Sequence, residues 1–332
     1  MKWVIEENFE NIAKFLGDLF NKTPEEINER FVNIPVMFLL KFIDENDDDK
    51  ILGTIVGVKD EVAPNILELI HVAFLPDIDL QELNVFYKLI NFCKMEFVEA
   101  IYAFNMSDQS FININIDKLP DEVMVHKRMS LLLTKEHYVQ KWYDLGKTHL
   151  LKEKYDSLDF NRSFKLKKGR RTQEFKLKAL YEVSTDKIAR LMNVVYSKVD
   201  FTDNVVLLSK HFSSYNISLM MKLISGYYGR LSNKTSMLVE NSKGELVGYI
   251  LNMAPVDKKG VIVDLVVHPD YRGIGLGKVL FRNTIIKYYE EDKCETVSLA
   301  VTSNNDIAKI LYLKNGFEIV GKEGKEAFLF ID

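Results

Sequence analysis

"HPDYRGIGLGKVL", residues 268–280, sets one arginine and three glycines between an apolar run and an amphipathic one. Glycines let backbone N–H groups come close to an anion, and a helix N-terminus favours negative charge, so the stretch reads as a phosphate-binding turn. Two standard phosphate motifs fail on it. A Walker A loop needs G-x-x-x-x-G-K-[ST], whereas position 272 is Arg and Lys278 is followed by Val279. Gly273, Gly275 and Gly277 run G-x-G-x-G, not the dinucleotide fingerprint G-x-G-x-x-G.

Outward from this turn the chain parses into short elements. VIVDLVVHP (261–269) reads as a central, doubly buried strand. A helix opens at Leu276 and runs to about Glu290, and TVSLAVT (296–302) is a strand. Asn304 or Asn305 caps a helix that reaches Lys314 and stops at Asn315-Gly316. FEIVGK and EAFLFI predict a closing antiparallel pair. Upstream, EFKLKALYEV (174–183) alternates like a strand, a helix covers Asp186 to Ser197, and a longer helical region fills 205–228. TSMLVE (235–240) and ELVGYILNMA (245–254) form a hairpin through NSKG. The predicted order is β-α-α-β-β-β-α-β-α-β-β, and the flanking strands read as largely antiparallel.

The remaining residues of the motif are R-x-x-G-x-G after L-x-V-x-P: Leu265, Val267 and Pro269, then Arg272, Gly275 and Gly277. A second motif lies one strand downstream: Asn305, Ala308, Leu311, Tyr312, Gly316 and Phe317, spaced N-x-x-A-x-x-L-Y-x-x-x-G-F. In this order and on these elements, residues 174–332 resemble the GCN5-related N-acetyltransferase (GNAT) family. The resemblance implies an α/β (α+β) domain, a mixed, mostly antiparallel sheet flanked by helices, that uses acetyl-CoA as co-substrate and no metal. Backbone amides from Arg272 through Gly273, Ile274, Gly275, Leu276, Gly277 and Lys278 would wrap the pyrophosphate, with Arg272 adding charge. The strand of Leu265, Val266 and Val267 would splay from its neighbour and pair with pantetheine like an added strand. The amide of Val267 would polarise the thioester carbonyl. Asn305 would hydrogen-bond the CoA arm from the next helix, Ala308 would lie beside the cofactor on that helix, and Tyr312 would sit near the sulfur and protonate the departing thiolate. The attacking amine needs a base. Asp264, just before the splay, is one candidate, and His268, Glu240 and His211 are others.

The first half repeats part of this pattern. WVIEE, two helices in NFENIAKFLGDLF and TPEEINERF, VMFLLKFID, KILGTIVGV, ILELIHVAFLP, a helix over Leu80–Glu96 and AIYAF follow in turn. Setting Pro76-Asp77 on Pro269-Asp270 lays ELIHVAFLPD over IVDLVVHPD, an internal duplication with a period of about 190 residues. Arg272 then falls on Asp79, and the glycine stretch on Leu80, Gln81, Glu82, Leu83 and Asn84. Two carboxylates and no glycine oppose a pyrophosphate, so this copy should not bind CoA. The expected organisation is a degenerate GNAT-like domain over 1–165, a basic linker over 166–173 and an acetyltransferase domain over 174–332. Residues 134–155 read as helix or long strand, and beyond residue 105 the repeat fades.

Composition excludes several classes. Of 332 residues, 47% are hydrophobic and 28% charged, which suits two ordinary globular cores. A net charge of -4 argues against a general nucleic-acid binder, despite the basic stretch at 165–176. Cys93 and Cys294 lack metal-ligand spacing and fit a reducing compartment. No secretory h-region and no run of 18 apolar residues occurs, so a cytoplasmic protein without membrane or nucleic-acid partners is expected. The acceptor is expected to be a small-molecule or peptide amine, and the protein a monomer or homodimer. Two other readings compete: a non-catalytic acyl-CoA-binding or regulatory module, and a chain that takes acyl groups from aminoacyl-tRNA.

Overall fold

The computed structural model describes residues 2–6, 8–31, 37–59, 62–78, 84–103, 112–113, 119–142, 160–168 and 171–331. Its first strand is β1 (Lys2–Ile5), followed by α1 (Phe9–Phe20), capped by the Asn8 side chain, and α2 (Pro24–Phe31). Then come β2 (Met37–Ile43), β3 (Ile51–Lys59), β4 (Ile66–Phe74), α3 (Val85–Met95), β5 (Ala100–Ala103) and the short β6 (Ile112–Asn113). The chain continues through β7 (Met124–Thr134), α4 (Lys135–Trp142), β8 (Ser163–Lys168), β9 (Arg171–Ala179), α5 (Thr185–Tyr196), α6 (Asn204–His211) and α7 (Tyr215–Ser225). Finally come β10 (Met237–Asn241), β11 (Leu246–Val256), β12 (Lys259–Val267), α8 (Leu276–Ile286), β13 (Thr296–Thr302), α9 (Asp306–Lys314) and β14 (Glu318–Phe330). No helix among the described residues is long and apolar enough to cross a membrane.

Two compact units result: Met1–Lys127 with Gly324–Asp332, and Arg128–Glu323. In the first, strands follow the order β1-β2-β3-β4-β5, and Ala327–Phe330 of β14 add antiparallel to β5. Leu40, Phe42, Ile55, Leu67, Phe74, Leu89 and Phe92 form its main core. In the second, the order is β7-β13-β12-β11-β10-β9-β8, with α8 and α9 packed on one face and α5 and α7 on the other.

The duplication is visible in backbone detail. In β4, Leu69 opposes Gly57 and His71 opposes Val56, leaving Ile70 as a β-bulge. In β12, Ile262 opposes Asn252 and Asp264 opposes Leu251, leaving Val263 as the bulge. Ile70 and Val263 coincide when Pro76 is laid on Pro269. The parallel pairing also ends at matching residues, Leu69 with Ala103 in one unit and Ile262 with Leu299 in the other. A bulge bends and twists its strand, so both copies keep the device that opens the sheet at this point.

Several expectations are corrected. Of the stretch expected as a linker, 166–168 and 171–173 lie in the antiparallel β8–β9 pair, because Phe164 and Leu166 alternate with lysines and pack on the second unit's core. The boundaries at 165 and 174 therefore do not divide the units. β7 was expected with the first copy, but Arg128–Thr134 pair antiparallel with β13, burying Leu131 and Leu133. Behind it, Tyr138 stacks on Tyr289 at 4.4 Å and the Tyr289 hydroxyl donates to the Leu133 carbonyl at 2.5 Å. The single helical region at 205–228 is two helices, since the chain turns between Phe212 and Ser214. The helix from Leu276 keeps α geometry to Ile286 and widens to a π turn over Lys287–Glu291. FEIVGK and EAFLFI form one continuous strand, not an antiparallel pair. Residues 79–83, on which part of the degenerate-copy expectation falls, lie outside the described residues, as do 143–155 of the stretch read as helix or strand.

Candidate active site

β12 leaves β13 after Ile262 but stays paired with β11 through Val267, while β13 stays paired with β7 through Thr302. The strands thus splay at the bulge, where the sequence places Asp264, Leu265, Val266 and Val267. No described strand pairs with this stretch of β12 on the side of β13. Leu265 and Val267 pack toward the α8 face and Val266 toward α5 and α7. An open strand edge with alternating side chains can accept an extended amide-bearing chain.

The glycine turn follows directly. Gly273 and Gly275 hold φ values of 78° and 94°, a left-handed backbone that other residues rarely adopt, and a Cβ at either would meet no protein atom within 4 Å. The space beside these amides is open, as an anion cradle needs. Gly275 is the N-cap of α8, so the turn delivers its N–H groups at a helix N-terminus. Gly277 is different: a Cβ there would make an ordinary 3.6 Å contact with Val267. Ile274 and Leu276 anchor the turn in the core, and Lys278 is exposed. Arg272 is exposed too, but its Nε donates to the Val267 carbonyl at 3.1 Å. Part of its role is therefore to brace the end of β12, beyond the charge expected of it.

The second motif lies on α9. Asn305 caps it, its side chain accepting from the Ala308 amide at 3.2 Å, and Ala308 packs against the core. One Asn305 oxygen is thereby spent on the helix. Tyr312 is buried between Phe281 and Phe317, with ring centroids 5.5 and 6.0 Å away. Burial, and secondarily the charge of Asp264, raises its pKa, so its phenol stays protonated.

Of the four base candidates, Asp264 is hydrogen-bonded at both carboxylate oxygens. Its Oδ1 accepts from the Tyr196 hydroxyl at 2.9 Å and its Oδ2 from the Tyr249 hydroxyl at 2.7 Å. Desolvation raises its pKa, opposed by hydrogen bonds from Tyr249, Tyr196 and the Leu265 amide, and Asp203 adds a further raising influence. A carboxylate pushed upward is a stronger base than an ordinary one. His268 is tied to its own turn, Nδ1 accepting from the Asp270 amide at 3.2 Å. Glu240 pairs with Lys187 at 3.9 Å, and His211 is exposed in the last turn of α6.

Sequence reasoning missed Tyr196, Tyr249, Asp203, Thr302 and Arg128. Asp203 carried one local signal, as an N-cap residue before an apolar helix, and its Oδ1 does accept from the Val206 amide at 2.9 Å. The others come from separate elements and carry no shared motif.

In the first unit the equivalent edge is filled. Val72 and Ala73 of β4, just past the bulge, pair in parallel with Ile112 and Asn113 of β6. His71 stands where the second copy has Asp264, and Asn84, the last residue aligned with the glycine stretch, begins α3.

Comparison with known proteins bears on the family match and the fold. An uncharacterized N-acetyltransferase of Methanocaldococcus jannaschii is 29% identical over 115 residues, which cover 33% of this chain and 72% of the relative. The fold is similar to that of a GCN5-related N-acetyltransferase from Sphaerobacter thermophilus, with a TM-score of 0.51 and 10% identity over 98% of this chain and 94% of that one. It is equally similar to a tandem GNAT protein from the clavulanic acid biosynthesis pathway, with a TM-score of 0.51 and 11% identity over 100% and 98% of the two chains. The acetyltransferase (GNAT) family profile matches residues 208–317, a span that lies in the second unit and includes both motifs, so the second unit carries a GNAT family match.

Proposed function

We propose that the second unit transfers an acetyl group from acetyl-CoA to an amine by direct attack, without a covalent acyl-enzyme. The observation that carries this reading is the opening of β12 from β13 directly ahead of the glycine turn. A free strand edge and a helix N-terminal amide cradle in sequence suit a donor that has an amide-bearing arm and a pyrophosphate. Amides of Gly273 to Lys278 would hold the pyrophosphate, the edge of Leu265–Val267 the pantetheine, and the Val267 amide the developing oxyanion.

The amine attacks the thioester carbonyl, a C–N bond forms and the C–S bond breaks. Asp264 receives the amine's proton, directly or through one water, and Tyr312 gives its proton to the departing thiolate. Burial makes the Asp264 carboxylate a better proton acceptor and keeps the Tyr312 phenol in its protonated form, with a proton to give. The first unit keeps the bulge but fills its edge with β6, which supports a cofactor-free role for it.

The test is thiol release from acetyl-CoA mixed with amino acids, polyamines, aminoglycoside-like amines and peptides. Amine-dependent release that is lost in Asp264→Asn and slowed in Tyr312→Phe supports transfer. Tight acetyl-CoA binding without release for any amine favours the acyl-CoA-binding module instead.

A further inference from the structure

Asp264 is not the sole carboxylate on its face of the sheet. Along β7, Met129, Leu131 and Leu133 face the core under α8 and α9, so Arg128 shares the opposite face. Arg128 pairs in register with Thr302 of β13, whose neighbour Val301 also faces the α8 side. Thr302 is buried, and its hydroxyl donates to Asp203 Oδ2 at 2.5 Å. Asp203 is itself buried, and its other oxygen caps α6 at the Val206 amide. One carboxylate thus joins the start of α6 to the end of β13, the strand that forms the far side of the splay.

The groups that surround Asp264 come from several elements. Tyr196 approaches from α5, Tyr249 from β11 and the Leu265 amide from β12 itself. The charge of Asp203, the N-cap of α6, raises the pKa of both Asp264 and Tyr196, that of Arg128 on β7 lowers the pKa of Tyr196, and that of Asp264 raises the pKa of Tyr312 on α9. Within this set Asp203 is the second negative charge. It has no need to touch substrate to affect the reaction, because two nearby carboxylates resist being ionised together.

We propose that Asp203 is a positioning residue for the transfer: it fixes the β13 side of the splay through Thr302 and holds a second carboxylate on the sheet face that carries Asp264. The proposal rests on Asp264 acting as the base, and it adds a residue 61 positions upstream that belongs to neither family motif.

The decisive variant is Asp203→Asn. Asparagine is as good an N-cap as aspartate, and its amide can meet Thr302, so geometry is kept while the charge is removed. Asp203→Ser also retains a capping oxygen and replaces it should Asn unfold the unit. The first readout is the side-chain carboxyl titration of Asp264, followed by carbon NMR and assigned by the resonance lost in Asp264→Asn. It needs neither acceptor nor turnover. The expected result is a shift of the Asp264 midpoint to lower pH in Asp203→Asn, with a native melting transition. Where an amine is turned over, the acid limb of kcat/KM moves the same way. An Asp264 midpoint that stays in place in a folded, charge-neutral variant overturns the proposal. A midpoint that moves in a protein that transfers to no amine upholds the Asp203–Asp264 link and instead counts against acetyl transfer.

Discussion

The Tyr249 hydroxyl donates to Asp264 Oδ2 at 2.7 Å while Tyr196 holds the other oxygen at 2.9 Å, so the carboxylate at the mouth of the splayed strands is fixed at both ends. Fixing the carboxylate orients it, and burying it makes it basic. The two effects oppose each other in its pKa, where desolvation prevails.

That balance has a cost in stability. Because the folded-state pKa of Asp264 lies above its unfolded value, both states are protonated in strong acid and no penalty exists there. As pH rises through the unfolded and then the folded value, the native state must ionise a buried group, and stability falls. Asp264→Asn should therefore melt higher than wild type at neutral pH, with the difference shrinking below the usual carboxylate range. Turnover should fall by about 10²–10⁴, the ordinary contribution of a general base. Thermal melts at pH 4 and pH 8, paired with thiol release, check both.

Replacing either phenol removes a hydrogen bond that favours the ionised carboxylate. Tyr196→Phe and Tyr249→Phe should each move the acid limb of kcat/KM to higher pH, the opposite direction to Asp203→Asn. A pH–rate profile of each variant against one amine reads the sign.

Tyr312→Phe keeps the packing against Phe281 and Phe317 and removes the proton donor. The expected outcome is a fall in kcat of about 10²-fold with acetyl-CoA affinity nearly unchanged. An acyl donor whose thiol is more acidic should recover part of the loss, since its thiolate leaves without help.

Removing residues 1–173 would delete β7, β8 and the first residues of β9, together with Leu131, Leu133, Phe164 and Leu166. A fragment of 174–332 should be insoluble or lack a cooperative melt, whereas one of 128–323 follows the compact unit and should fold. Expression of both and their thermal melts decide.

Much of the site was legible because local rules govern it. The turn at Gly273–Gly277 needs left-handed backbone at two positions, the Asn305 cap and the Asn315-Gly316 stop mark α9, and the repeated Pro-Asp after an apolar strand gave the duplication. The bulges at Ile70 and Val263 confirm that alignment residue for residue. Strand exchange was not legible. The alternation in β7 specifies a strand with two faces, but nothing local tells which sheet edge it joins. The same holds for β14, whose Glu318 start follows the second copy and whose Ala327–Phe330 end completes the first unit's sheet. The surroundings of Asp264 escaped for a related reason: Thr302 and Asp203 meet across 99 positions, and only tertiary packing brings them together.

Gly275 tests the anion cradle apart from the chemistry. At φ 94°, Gly275→Ala should cost about 1–2 kcal/mol in strain. Gly275→Glu adds a carboxylate at the helix N-terminus, where the pyrophosphate would sit, and should abolish acetyl-CoA binding without unfolding the protein.

The most direct measurement is calorimetric titration of acetyl-CoA into the wild type and into Gly275→Glu. One site per chain, lost in the variant, is the predicted result. Two sites would mean that β6 does not close the first unit, and no site in the wild type would contradict the account at its centre.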